Sequence, residues 1–157
     1  MTMLSDLWSF TLDFYAKPGV EHACLTLQAS GGNVCALLCG VWLDQRGIAF
    51  NPRRAEEIRQ LATPWHDEVV GPLRALRTQW KAAAATDVEL SALRERLKVL
   101  ELDAERELLV RLQRFVQDWP GVGAHASGVW LEALAGEAAN KAPDALQVLR
   151  RVGEDAA

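Results

Sequence analysis

Residues that favour strands are scarce in this 157-residue chain: 2 Ile, 6 Thr and 1 Tyr stand against 23 Leu and 24 Ala. Leu and Ala favour helix, so the balance argues against an all-β fold. Cysteine is sparse and odd in number, three residues, which argues against a disulfide framework. Long apolar runs are missing too. The longest covers 34–43, ten residues, where a membrane span takes about twenty. The opening segment 1–15 lacks the basic start and small-residue cleavage site of a secretory signal. Positive charge is not in excess: the formal net charge is −4 and the pI about 5.4, so no overall attraction to nucleic acid or anionic lipid is expected. Together these absences predict a cytoplasmic protein.

What is present is half hydrophobic and 24% charged, the composition of one globular domain. A chain of this length buries roughly two thirds of its unfolded surface. No repeat, low-complexity tract or linker divides it. The expectation is an all-α, single-domain bundle of about seven or eight helices over 1–157, with 153–157 a frayed tail.

Local signals divide the chain into helices. Ser5 caps a first helix over 6–16, stopped by Pro18-Gly19. A second covers 20–29 and ends at Gly31-Gly32. Asn33 caps a third over 34–45, with Gly47 just past its end. Its ten-residue apolar run makes it the central buried helix. Asn51-Pro52 opens a fourth helix, to about 62, by the order N-cap then proline. Thr63-Pro64 repeats that order, so a fifth is expected over 64–84, kinked at Gly71-Pro72. Thr86 and Glu89 have capping-box spacing and open a long helix over 87–119. Its apolar residues, from Leu90 through Leu97, Ala104, Leu108 and Leu112 to Trp119, recur every three or four positions. A Gly-containing loop over 122–128 leads to helices over 129–139 and 142–152.

The long helix has a geometric consequence. Roughly 33 residues span about 50 Å, whereas a compact chain of this size is near 40 Å across. Its end therefore breaks, or projects and is covered. A second apolar set, Val88, Val99, Leu102, Leu109, Val110 and Val116, lies on its other side, interrupted by Glu95 and Arg106. Either the later helices fold back over that set, or it is the groove of a homodimer or another partner.

The fifth and long helices should form an antiparallel hairpin about 85–87. Arg77 then falls opposite Arg94, and His66 near Glu105. Glu95 and Glu101 come within reach of Arg74 and Arg77, a charged seam.

Motifs that carry chemistry are few. Cys35 and Cys39 lie one turn apart and could ligate a metal if two more ligands converged, with Cys24 and His22 nearby in sequence. No recognisable second pair exists, and small core residues are expected instead. His66-Asp67-Glu68 offers a base and two carboxylates, yet the first turn of a helix accounts for both acids. His22 and His125 have no obvious partner set. Gly31-Gly32-Asn33 reads as a turn and cap rather than an anion site. Arg53, Arg54 and Arg59 alternate with Glu56 and Glu57, too mixed for a nucleic-acid helix. Of the six tryptophans, Trp65 and Trp80 border polar stretches and are the expected interface anchors.

Three stretches carry a family resemblance: Leu7 to Val20 with Ala23-Cys24-Leu25 and Leu27-Gln28; Val34 to Gly47; and Trp65 with Pro72 to Arg77, continued by Glu101 to Arg106. Together they resemble a family of small, uncharacterised bacterial proteins, a domain of unknown function, over Leu7 to Leu112. The resemblance implies a bacterial cytoplasmic helical protein and no activity. Arg74, Arg77, Glu101 and Glu105 are the polar residues in the matching motifs.

The expectation is thus a non-enzymatic helical interaction or regulatory protein whose partner is another protein, with a homodimer through the long helix as one form. Neither cofactor nor metal is expected, and neither membrane nor nucleic acid is an expected partner. The binding candidates are Trp65, Arg74, Arg77, Trp80, Glu101 and Glu105. The alternative is a small-molecule-binding or enzymatic protein with an Arg/Glu-lined pocket between the fifth and long helices.

Overall fold

The computed structural model describes residues 6–121 and 128–155. Ser5, the loop 122–127 with His125, and the last two residues lie outside it. The fold is all-α. Helices α1 (Leu7–Tyr15), α2 (Val20–Ala29), α3 (Val34–Gln45) and α4 (Pro52–Trp65) are followed by a π-helical turn, His66–Val70. Then come α5 (Gly71–Ala84), α6 (Val88–Val116), α7 (Val129–Ala135), α8 (Ala138–Lys141) and α9 (Pro143–Asp155). Among the described residues there is no strand, only an isolated bridge between Ile48 and Gly121. None of these helices is long and apolar enough to cross a membrane.

Helix α3 is the hub, buried continuously from Cys35 to Asp44. One side joins Leu7, Ile58, Leu108, Leu112 and Trp130 in a first core cluster. The other joins Phe14, Leu27, Leu131 and Leu149 in a second. Each fully buried Leu contributes about 2 kcal/mol through removal from water. Asp44, the one acid in this run, is buried and accepts from the backbone N–H of Trp130 at 3.0 Å and of Leu131 at 3.2 Å. Its carboxylate thereby caps α7, whose own N-cap is Gly128 and has no capping side chain.

Several boundaries differ from expectation. The first N-cap is Asp6, which accepts from Ser9 N at 2.7 Å. Thr63-Pro64 does not start a helix: α4 runs on through Pro64 to Trp65 and continues into α5 by way of the π turn. In that wider turn the Gly71 N–H reaches back five residues to His66 O. A Cβ on Gly71 would lie 3.1 Å from that same oxygen. The cap of α6 is Asp87, accepting from Leu90 N at 3.1 Å, rather than Thr86. The expected tail stays helical to Asp155, and Gly153 is buried.

Helix α6 has 29 residues and is about 43 Å long. Its C-terminal half is buried at Leu108, Leu109, Leu112 and Val116. Its first buried residue is Leu97, and α5 has none, so the outer parts of α5 and α6 project as a hairpin. The second apolar set divides accordingly. Leu109 and Val116 are in the core, whereas Val88, Val99 and Leu102 are exposed. The later helices do not cover them; α7 packs chiefly on α3, and α9 on α2.

Candidate functional site

The base of the hairpin closes a cavity of about 270 Å³. Helix α1 supplies Trp8, Thr11, Leu12 and Tyr15, spaced three and four apart and hence on one face. Leu25 and Gln28 come from α2, and Val34, Cys35 and Leu38 from α3. The π turn adds His66 and Val70, and α5 and α6 add Arg74, Arg77, Glu101, Leu102 and Glu105. The mouth is apolar, since Leu12, Leu25 and Leu102 are each about half exposed.

The expected seam forms the polar end. Arg77 donates to Glu101 twice, Nε to Oε1 at 2.5 Å and Nη2 to Oε2 at 3.3 Å. Arg74 reaches Glu101 through Nε at 3.4 Å and Glu105 through Nη2 at 3.2 Å. Its Nη1 lies 3.4 Å from His66 Nε2. A guanidinium only donates, so Nε2 accepts and the ring proton sits on Nδ1, 3.3 Å from Asp67. In the amide orientation that satisfies both its ends, Gln28 accepts from Arg74 Nη1 at 3.2 Å and Nε at 3.1 Å. The juxtaposition of Arg77 and Arg94 is relieved because Arg94 Nε donates to the Arg77 carbonyl at 2.9 Å. Glu95 stays outside the seam and pairs with Lys98 at 3.0 Å.

Two guanidinium groups and two carboxylates leave this end neutral in sum. Burial raises the Glu105 pKa; Arg74 opposes the rise and nearby Glu101 adds to it. The hydrogen bonds that Arg77 donates to Glu101 strengthen its protonation. Burial pushes the Tyr15 phenol up to about 12, so it stays a neutral hydroxyl. Thr11 is buried, and its hydroxyl has no hydrogen-bond partner.

Trp65 and Trp80 stand apart from this cavity. Trp65 packs against the core, donates Nε1 to Ala104 O at 2.9 Å and carries Arg111 over its ring at 3.9 Å. Trp80 lies in a shallow groove on the other side of the hairpin with Leu93, Arg96, Leu97, Val99, Leu100 and Asp103. Three further tryptophans also carry an arginine: Trp42 with Arg46, Trp119 with Arg54 and Trp8 with Arg106. Much of the tryptophan surplus is therefore held in cation–π pairs. The basic stretch is engaged internally as well. Beyond Arg54, Arg59 bonds Glu56 and the Ala133 carbonyl, and Arg53 lies 3.8 Å from Glu57.

The thiols are core groups. Cys24, Cys35 and Cys39 are free and buried, and burial raises all three, Cys24 and Cys39 to about 12. Among the described residues no cluster of His, Cys, Asp or Glu could hold a metal ion. Nor, among them, does a histidine ring bond to a hydroxyl or thiol that it could activate.

Sequence reasoning missed Trp8, Thr11, Tyr15 and Gln28. The signal for the first three was the three-and-four spacing on α1, hidden because nearly every position of that helix is apolar. Residues 6–112 match the family described as a protein of unknown function, DUF2390. No curated protein and no solved structure matches the chain. The match spans more than half of the sequence and includes all six candidate site residues, and the chain belongs to this family.

Proposed function

We propose that this protein binds a small, largely apolar molecule bearing an uncharged polar group. The observation that supports the reading most is the cavity itself: apolar walls, an apolar mouth and a few convergent polar groups at one end. A charged ligand gains little there, because Arg74 and Arg77 are already matched by Glu101 and Glu105. An uncharged hydroxyl or carbonyl gains more. Tyr15 lines the wall as a neutral phenol, and Thr11, one turn before it on the same wall, has a buried hydroxyl without a partner. The three free, buried thiols support a reducing compartment, and with it the bacterial cytoplasm that the resemblance implies.

Calorimetric titration with 1-naphthol, naphthalene and 1-naphthoate tests this. Naphthol binds most tightly and naphthoate least. Leu12→Trp and Leu25→Trp, substitutions at exposed rim positions, close the mouth and weaken binding. Absence of binding by all three probes overturns the proposal. The interaction role is kept as a second reading, because the hairpin exposes Val99 and Leu100 beside half-buried Trp80 on the face away from the cavity.

A further inference from the structure

The outer face of the α5–α6 hairpin has features that cavity binding does not use. Helix α5 buries none of its residues, and α6 exposes Val99 at 59% and Leu100 at 52%. Those two line the shallow groove with Trp80, Leu93, Arg96 and Asp103. Arg96 and Asp103 are both exposed, and among the described residues neither makes an ion pair. They lie two turns apart on one helix face, a separation of about 10 Å. Val99 and Leu100 sit midway between them.

We propose that two copies of this chain associate antiparallel through α6, pairing Arg96 of each with Asp103 of the other. A two-fold axis passing between Val99 and Leu100 brings those two residues together at the centre. It sets the two opposite charges face to face on either side, twice over by symmetry. A parallel arrangement sets arginine against arginine and aspartate against aspartate, which is unfavourable. An unrelated partner must carry a complementary pattern of its own, whereas this chain already carries both halves. The product is a four-helix arrangement in which each hairpin covers the exposed apolar face of the other.

Light scattering and sedimentation equilibrium on the full chain test this. The wild type is expected at twice the 17.3 kDa monomer mass. R96D leaves two like charges facing each other at both contacts, and D103R does the same with the opposite sign. Each variant alone weakens association by about tenfold or more. Mixed together they form a heterodimer, and the double variant R96D/D103R restores the homodimer. Both sites are on the surface, so circular dichroism should report unchanged helicity. L100E, at the centre of the contact, also dissociates the dimer. A wild-type monomer at about 100 µM overturns the proposal. A dimer indifferent to R96D and D103R, or a mixture of the two that stays monomeric, overturns it equally.

Discussion

Glu101 is held by Arg77 through two hydrogen bonds, at 2.5 and 3.3 Å, while its side chain is only 9% exposed. Arg74 shares the same carboxylate. Removing the acid leaves two half-buried guanidinium groups without their common anion. Breaking a fully buried pair costs about 3–5 kcal/mol. Solvent screening of Arg74 and Arg77 lowers this, and Glu101→Ala is expected to cost about 2 kcal/mol in urea unfolding. Arg77→Lys should recover little in place of Arg, because a single ammonium cannot make the paired contact.

Glu105 has the opposite character. Burial holds its pKa above 4.5 despite Arg74. An acid whose pKa is raised on folding binds protons more tightly in the folded state. Its stabilising contribution is complete below 4.5 and is lost as pH rises through the folded pKa. Relative to Glu105→Gln, the wild type should therefore lose stability as pH rises from about 4.5 towards neutrality. Paired thermal melts across that window check the slope; a flat difference between the two proteins would show that the carboxyl is solvated.

Gly40 marks where α3 and α7 cross. A Cβ there would stand 3.1 Å from Leu131 Cα and N, and 3.1 Å from Leu134 Cδ1. Backbone atoms cannot rotate away, so Gly40→Ala must push α7 outward and loosen the Asp44 cap on its first turn. A cost of about 1–3 kcal/mol is expected, even though alanine is the better helix former. The midpoint of denaturant unfolding measures it.

These residues also show which parts of the structure were legible in the sequence. Asn33, Asn51-Pro52 and Gly47 signal chain direction locally, and both ends of α3 and the start of α4 agree with expectation. Thr63-Pro64 misleads because the cap signal is real but tertiary packing overrides it: Ile58, Ala62 and Val70 are all buried along one continuous rod. The seam from Arg74 to Glu105 was readable because a tight turn sets the register of an antiparallel hairpin. A pocket along that seam was the alternative expectation, and the cavity is lined by it; its far wall was not legible, because it comes from α1 and α2, whose placement depends on long-range packing. The hydrogen bond from Leu7 N to Gln113 Oε1 at 2.7 Å is one such tie, and no local pattern announces it.

Thr11 separates a binding role from a structural one. A buried hydroxyl without a partner costs about 1–3 kcal/mol, and Thr11→Val removes it with almost no change of shape. The substitution should therefore stabilise the ligand-free protein by about 1 kcal/mol, raising Tm by roughly 3 °C. If the hydroxyl serves the ligand, the same change should weaken 1-naphthol binding about tenfold, the worth of one hydrogen bond, and leave naphthalene binding unaltered. The two readouts move in opposite directions. A threonine kept for stability alone would lose stability on substitution and leave the naphthol-to-naphthalene ratio unchanged, and that outcome would remove Thr11 from the site.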